Sequence, residues 1–240
     1  MDKTFLSFRI IGDYLLDLVF PKYCLGCKQE GCWLCPRCLE KIKINEIHIC
    51  PICKKSGETA AVCHECRDAS NLGGLWVLTD YGNHLVQDVI KAIKYDYIHE
   101  LTREFGRLAN KYFSAFPLDN ENVCLLPVPL HRRRELERGF NQSETIAQAV
   151  GEALNLPLSQ PWLIRKKYSK AQAKLSREAR MNNMKDVFIF NNKISEADRQ
   201  KKIILVDDVY TTGATMQECA KVLKANGFSN IWGLVIARGK

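Results

Sequence analysis

Residues 201–219 read KKIILVDDVYTTGATMQEC, and this stretch decides the fold of the C-terminal part of the chain. Four consecutive apolar residues, Ile203 to Val206, predict a buried strand of a parallel sheet. Two adjacent carboxylates, Asp207 and Asp208, follow at the C-terminal end of that strand, which is the edge where parallel sheets bind ligands. A helix is then predicted over 214–225.

The residues between the acids and the helix predict a phosphate site. They are small or carry a hydroxyl group, and they open a helix whose free N–H groups attract phosphate. They are Thr211, Thr212, Gly213, Ala214 and Thr215. Acceptors for sugar hydroxyls beside donors for a phosphate describe a pocket for ribose 5-phosphate. Two alternatives stay open, namely an acidic strand end before a threonine-capped helix, and a magnesium site built on two aspartates.

The remaining chain alternates strands with helices. Strands are predicted over 75–81, 123–128, 162–164, 187–190 and 231–237, and helices over 84–116, with a break near 95–97, and over 141–154. This alternation predicts an α/β fold with a mostly parallel sheet flanked by helices. Residues 168–183 are polar, basic and weakly patterned.

The cysteines predict structural zinc. Nine of the 11 lie between Cys24 and Cys66, and eight of these form four Cys-x-x-Cys pairs, a spacing that suits two corners of a tetrahedral site. The predicted ligands are Cys24, Cys27, Cys35, Cys38, Cys50, Cys53, Cys63 and Cys66. Sequential grouping needs only short loops, and a crossed arrangement stays open. Cys32 is the odd cysteine, and His48 and His64 are not needed as ligands.

Composition and cysteine use indicate a protein of the cytoplasm. The chain has 240 residues, of which 46% are hydrophobic, and no apolar run is long enough to predict a membrane span. Residues 1–20 show helical periodicity interrupted by charges, so we predict a helix packed on the protein rather than a signal peptide. A net charge of +8 suits a phosphate ligand as well as it suits DNA.

The 201–219 stretch closely resembles the motif that binds phosphoribosyl pyrophosphate (PRPP) in type I phosphoribosyltransferases. In that motif an apolar strand, two acids and a Thr-Thr-Gly-type loop follow in order. The resemblance implies that Asp207 and Asp208 hold the ribose hydroxyls while the loop of residues 211–215 wraps the 5-phosphate. It also implies Mg²⁺ bound together with PRPP.

Over essentially the whole chain the sequence resembles the ComF family of competence proteins. The resemblance rests on the cysteine pairs, on LPVPLHRRRELERGFNQ at 126–142 and on QAKLSREARMNN at 172–183. It adds Arg138, Gln142, Gln172 and Arg180 to the predicted PRPP site. Arginines 132–134 and 138 follow a strand end and suit the pyrophosphate. Residues 168–183 are similar to the loop that covers the site in glutamine amidophosphoribosyltransferases, or else form a surface loop.

The resemblance implies a phosphoribosyltransferase-like domain at 71–240, a double zinc-ribbon module at 21–70 and the N-terminal helix at 1–20. We expect a PRPP-binding protein that acts in DNA uptake during natural transformation, as a Mg-dependent phosphoribosyltransferase of unknown acceptor. No general base stands out. Two alternatives are a non-catalytic PRPP- or nucleotide-binding adaptor for a DNA-uptake ATPase, and a zinc-dependent DNA-binding protein. The partners considered besides PRPP are a DNA-uptake ATPase or helicase and single-stranded DNA.

Overall fold

A computed structural model describes residues 21–168, 186–191 and 194–239. The helix predicted over residues 1–20 lies outside the described residues. The chain divides into two compact units, with the boundary between Ile42 and Lys43. The second cysteine group therefore belongs to the same unit as the sheet.

In the first unit, the described residues form a small cysteine-bearing fold. Tyr23 and Glu30 make an isolated antiparallel bridge, and helix α1 spans Pro36–Glu40. Cys35 caps this helix with extended backbone, and a proline at its first position supplies the φ angle that a helix start requires. The short helix turns the Cys35–Cys38 pair toward the Cys24–Cys27 pair.

The second unit is built on a parallel sheet of four strands. The described strands of this unit are β1 (His48–Ile49), β2 (Ser56–Gly57), β3 (Gly74–Asp80), β4 (Val123–Pro127), β5 (Leu163–Arg165), β6 (Phe188–Phe190), β7 (Lys202–Tyr210) and β8 (Ile231–Arg238). The sheet has the order β3-β8-β7-β4, and all of its neighbouring strands run parallel. The pairs β1–β2 and β5–β6 form separate antiparallel hairpins.

The sheet is covered on both faces by helices. The described helices of this unit are α2 (His84–Tyr95), α3 (Thr102–Ala115), α4 (Arg132–Arg138), α5 (Gln142–Leu154), α6 (Glu196–Arg199) and α7 (Ala214–Ala225), and a 3₁₀ turn spans His99–Leu101. Helices α4 and α6 bury no residue, so the other four form the cover. Ile203 to Val206 are fully buried, as a central strand between two helical layers requires. The predicted parallel sheet flanked by helices, with cysteine groups at the N-terminus, is confirmed.

Helices α3 and α5 pack closely on one face of the sheet. A Cβ atom at Gly106 would lie 2.5 Å from the carbonyl oxygen of Ala149, so only glycine permits this approach. Asn141 caps α5 through its side chain, which accepts a hydrogen bond from the N–H of Ser143. This cap holds the first turn of α5 at the C-terminal ends of the strands.

Candidate functional site

The carboxyl ends of β4 and β7 form a crevice. After β4, the chain passes through α5 to Leu158, which makes a parallel bridge with Leu125 on the free side of β4. After β7, the chain passes through α7 to β8 on the other side. Connections that leave two neighbouring parallel strands in opposite directions create a topological switch point, where open α/β sheets bind ligands.

The two aspartates lie at this crevice. Strand β7 continues to Tyr210, beyond the four apolar residues from which its core was predicted. Its pairing with β4 ends at Val206, whereas its pairing with β8 continues to Tyr210. Asp207 and Asp208 therefore project past the end of β4. Because alternate residues of a strand face opposite sides, the two carboxylates point away from each other.

Asp207 is half-buried at the start of α5. Its Oδ1 accepts hydrogen bonds from the hydroxyl of Ser143 at 2.8 Å and from the N–H of Asp208 at 2.9 Å. Within the described part of the chain, no hydrogen bond reaches its second oxygen, Oδ2. Burial, and then the charge of Asp208, raise the pKa of Asp207 to about 6, against the weaker opposing effects of Ser143 and Lys94. The fold thus places Asp207 in an environment that disfavours its charged form, and a pKa perturbed in this way is typical of functional sites.

Asp208 is buried and neutralised by a lysine. The Nζ of Lys94, in the last turn of α2, lies 2.7 Å from Asp208 Oδ2. Burial alone would lower the pKa of Lys94, but the charges of Asp208 and then Asp207 outweigh burial and raise that pKa. The second acid of the motif is therefore the ion-pair partner of Lys94.

Lys94 and Ser143 were both missed by the sequence reasoning. Lys94 lies in the last turn of an amphipathic helix, and nothing in the local pattern points to a residue more than a hundred positions later. Ser143 directly follows the RGFNQ segment at 138–142 that carries the family resemblance. Extending that segment by one residue would have included it.

The loop at 211–215 has the backbone of an anion site. Gly213 is the N-cap of α7 and has φ +80°, which glycine adopts without strain. The N–H groups of the first turn have no acceptor within the helix, and that of Ala214 reaches only Thr212 Oγ1, at 3.4 Å. Thr211 is exposed, and Thr212 and Thr215 are half-buried, so the mouth of the helix stays open.

Tyr210 supports this loop from below. Its side chain is buried, and its hydroxyl lies only 2.0 Å from the position that a Cβ atom at Gly213 would occupy. Any side chain at Gly213 would therefore overlap the tyrosine. The same hydroxyl lies 3.4 Å from the carbonyl oxygen of Pro51, in the segment between two cysteines.

The arginine cluster forms a helix that the sequence did not predict. Helix α4 has no buried residue, so it lacks the apolar periodicity from which helices are recognised. Arg138 donates a hydrogen bond to Gln142 Oε1 at 2.8 Å and lies 5.9 Å from the ring centre of Tyr95. The charge of Arg138 also opposes the rise in the pKa of Lys94. The predicted site residues Gln172 and Arg180 lie outside the described residues.

A cavity of about 510 Å³ lies next to this site, at the end of β4. Arg132, Asn141, Glu144 and Arg165 supply polar groups, and leucines and prolines form most of the remaining wall. Neither aspartate nor the loop at 211–215 lines it. The acid pair and the phosphate loop therefore lie outside this cavity.

The eight paired cysteines come together in two groups of four, in the sequential arrangement. One group is Cys24, Cys27, Cys35 and Cys38, and the other is Cys50, Cys53, Cys63 and Cys66; in each group the sulfurs lie within 4.8 Å of one another. Neither Cys32 nor any histidine among the described residues belongs to them.

The sulfur geometry fits a tetrahedral metal ion. Four Zn–S bonds of about 2.3 Å place the sulfurs about 3.8 Å apart. The measured separations are 3.7 Å between Cys27 and Cys35 and 3.6 Å between Cys53 and Cys63. Thiols this close, with no disulfide, form a site for a metal that prefers thiolates.

In each group the surroundings lower the pKa of one thiol and so favour its thiolate form. Burial raises the pKa of Cys24, but backbone N–H groups, including that of Cys35 at 3.3 Å from the sulfur, outweigh burial and lower it to about 6. Backbone N–H groups likewise outweigh the effect of burial at Cys50 and lower its pKa to about 6. Burial, and then the neighbouring thiols, raise the pKa of Cys38 and of Cys66 to about 12.

Comparison with known proteins identifies the family. No protein-family model matches the sequence. The chain is 33% identical over 201 residues to competence protein ComFC of Bacillus subtilis, in an alignment that covers 81% of this chain and 79% of that protein. This chain belongs to the ComF family.

Other relatives of this ComF chain have related names. It is 35% identical over 116 residues to competence protein F of Haemophilus influenzae, covering 48% of this chain and 50% of that protein. It is 26% identical over 227 residues to DNA utilization protein YhgH of Escherichia coli K12, covering 85% and 95%. In the described part of the ComF chain, no helix combines the length and apolar character needed to cross a bilayer.

Proposed function

We propose that this ComF protein binds PRPP at the crevice between β4 and β7 and acts as a phosphoribosyltransferase-like protein in DNA uptake. One observation carries the proposal. A half-buried carboxylate with a raised pKa, Asp207, precedes an open helix mouth at the switch point of a parallel sheet.

In this proposal the loop and the acids bind different parts of the ligand. The N–H groups and hydroxyls of residues 211–215 bind the 5-phosphate, because a helix N-terminus favours an anion. Asp207 accepts hydrogen bonds from the ribose hydroxyls, and Asp208 keeps Lys94 beside the sugar. Arg138 faces the pyrophosphate, to which a guanidinium group donates two parallel hydrogen bonds.

Magnesium enters this proposal with PRPP, because carboxylates and phosphate oxygens are the ligands that Mg²⁺ prefers. We also propose that both Cys₄ groups hold zinc. Four thiolates saturate the ion and leave no position for a reacting water, so this zinc stabilises the fold rather than taking part in chemistry. Thiolate-bound zinc fits a reducing compartment, and we propose a cytoplasmic location.

The role in DNA uptake is supported by the names of the relatives. Two are called competence proteins, and a third is called a DNA utilization protein. We propose that the ComF chain works beside a DNA-uptake ATPase or helicase during natural transformation. Deletion of its gene would then abolish transformation while leaving DNA binding at the cell surface unchanged.

Whether the site performs catalysis can be tested directly. In phosphoribosyl transfer the bond from C1 of the sugar to pyrophosphate breaks, and a bond from C1 to a nucleophile of the acceptor forms. Release of pyrophosphate only in the presence of an acceptor supports an enzyme. PRPP binding without any release supports the adaptor function instead.

The PRPP site itself is tested by ligand fragments. Both halves of the crevice contribute in this proposal, so ribose 5-phosphate should bind at least tenfold more tightly than inorganic phosphate or ribose alone. Calorimetry measures the three affinities. Equal affinities for inorganic phosphate and ribose 5-phosphate would mean that the acids do not contact the sugar.

A second candidate function is binding of single-stranded DNA. Tyr95 and Tyr97 are 65% and 50% exposed, and Arg133 lies 4.9 Å from the ring centre of Tyr168. Exposed aromatic rings among arginines stack on bases and bind phosphates without sequence preference. Salt-sensitive binding of a fluorescent oligothymidine should weaken several-fold in a Tyr95→Ala and Tyr97→Ala double variant.

A further inference from the structure

The second cysteine group lies against the phosphate loop through a chain of contacts within one compact unit. Tyr210 immediately precedes the loop, and its buried hydroxyl lies between Gly213 and the carbonyl oxygen of Pro51. Pro51 stands next to Cys50 in the chain, inside the Cys50–Cys53 pair. The tyrosine that supports the loop is therefore itself supported by the backbone between two predicted metal ligands.

A second set of contacts joins the other side of the loop to the segment that follows Cys66. Gln217, in the first turn of α7, accepts a hydrogen bond from the N–H of Asn71 at 2.7 Å. Its Nε2 also donates to Ser70 Oγ at 3.1 Å, and Asn71 Nδ2 donates to the carbonyl oxygen of Gln217 at 3.3 Å. Ser70 is buried, so these hydrogen bonds are protected from water.

The segment between Cys53 and Cys63 is joined to the start of β3 by backbone hydrogen bonds. The N–H of Leu75 donates to Ala60 at 2.8 Å, and the N–H of Val62 donates to Gly73 at 2.9 Å. The chain therefore leads directly from the cysteine group into the linker that hydrogen-bonds Gln217, and then into β3. Loss of order around the four cysteines would release the supports on both sides of the phosphate loop.

We propose that the second Cys₄ group is a positioning element of the phosphate site, which holds the loop at 211–215 through Tyr210 and Gln217. Metal in this group orders the segment from Cys50 to Leu72, and this segment keeps the N–H groups of the loop aligned toward one point. Loss of the metal from this group lowers affinity for a phosphorylated ligand. The identity of that ligand as PRPP depends on the function proposed above.

The first cysteine group provides the matched control. It belongs to the other compact unit. A Cys50→Ser and Cys53→Ser variant should weaken PRPP binding at least tenfold, whereas a Cys24→Ser and Cys27→Ser variant should bind within twofold of wild type. Each variant should lose one zinc, measured by elemental analysis. Equal effects of the two variants on affinity would overturn the proposal.

A Gln217→Ala variant tests the contact without touching a cysteine. We expect PRPP affinity to fall about 3- to 10-fold, as the loss of one or two buried hydrogen bonds predicts, with zinc content unchanged. Asn226→Ala removes an amide from the opposite end of the same helix and should change affinity less than twofold. A Gln217→Ala protein that binds as tightly as wild type would contradict a positioning role.

Hydrogen exchange separates this proposal from the proposed function. In ligand-free protein, the amides of 211–217 should exchange at least tenfold faster in the Gln217→Ala variant than in wild type or in Asn226→Ala. This readout does not depend on PRPP. A wild-type protein that binds no PRPP would remove the proposed ligand, whereas unchanged exchange in Gln217→Ala would remove the coupling.

Discussion

Replacing Asp207 by asparagine should make the protein more stable while it weakens ligand binding. The environment raises the pKa of this carboxyl from 3.8 to about 6, because burial and Asp208 both oppose its charge. A shift of about two units corresponds to roughly 3 kcal/mol at neutral pH. Asparagine keeps the Oδ1 acceptor for Ser143 and for the N–H of Asp208 but carries no charge. The shifted pKa already contains the attraction to Lys94, but the amide Nδ2 of asparagine must also be desolvated, so we expect a net gain of about 1–2 kcal/mol.

The pH dependence has a defined sign. An acid whose pKa is higher in the folded state binds more protons when folded, so wild-type stability falls as pH rises from about 4 to 6. The cost is complete above pH 6 and absent below pH 4. The Asp207→Asn protein should therefore melt about 2–6 °C higher than wild type at pH 7.5, and the difference should shrink toward pH 4.5. Calorimetric melting at the two pH values measures this.

Asp208→Asn is the control, and its effect should be opposite. It removes the partner of Lys94, whose side chain is only 22% exposed, and leaves that ammonium group without its carboxylate. Breaking such a pair from one side should destabilise the fold by about 2–3 kcal/mol. If Asp207→Asn melts at or below wild type at pH 7.5, or if both variants change stability alike, the different roles assigned to the two acids are wrong.

Three further predictions concern the loop, the ligand and the metal. Gly213→Ala should destabilise the protein by about 2–4 kcal/mol in denaturant titrations, because φ at this position is +80° and the new Cβ would overlap Tyr210. Adding Tyr210→Phe should recover part of this loss of stability. Effects of the two substitutions on stability that simply add would contradict the overlap. PRPP affinity should fall several-fold between pH 7.5 and pH 5.5, because Asp207 takes up a proton in this range. In the Asp207→Asn protein, the part of the pH dependence that Asp207 causes should be missing. Identical pH profiles of affinity for the two proteins would exclude Asp207 from the site. Cys24→Ser disrupts the first cysteine group and leaves the second one intact. Chelation of zinc in this variant should lower the melting temperature of the sheet-bearing unit. An unchanged melting temperature would mean that the second cysteine group does not stabilise that unit.

Much of the fold follows from short sequence patterns. The run from Ile203 to Val206 is apolar at every position, and only a strand covered on both faces needs this. Helix α7 begins where Gly213 permits a positive φ, at the predicted residue Ala214. The four Cys-x-x-Cys pairs also group as the shortest loops require. In each case the decisive interactions are local.

The parts that could not be predicted depend on distant contacts or on the lack of a pattern. Lys94 meets Asp208 only because α2 ends above the carboxyl end of β7, and helix amphipathicity does not encode which strand end lies there. Helix α4 has a single apolar residue, the exposed Leu136, so no apolar periodicity reveals it. The opposite orientation of Asp207 and Asp208 follows from strand alternation, provided that β7 is extended past Val206, as the structure has it.

The central claim is that the crevice between β4 and β7 binds a phosphorylated sugar through Asp207 and the mouth of α7. Titration of PRPP into wild-type protein by calorimetry, with Mg²⁺ and then with EDTA, tests it most directly. The account predicts one site per chain, weaker binding without Mg²⁺, and a loss of at least tenfold in affinity for the more stable Asp207→Asn protein. Binding that is absent in wild type, or unchanged in the folded Asp207→Asn variant, would contradict it.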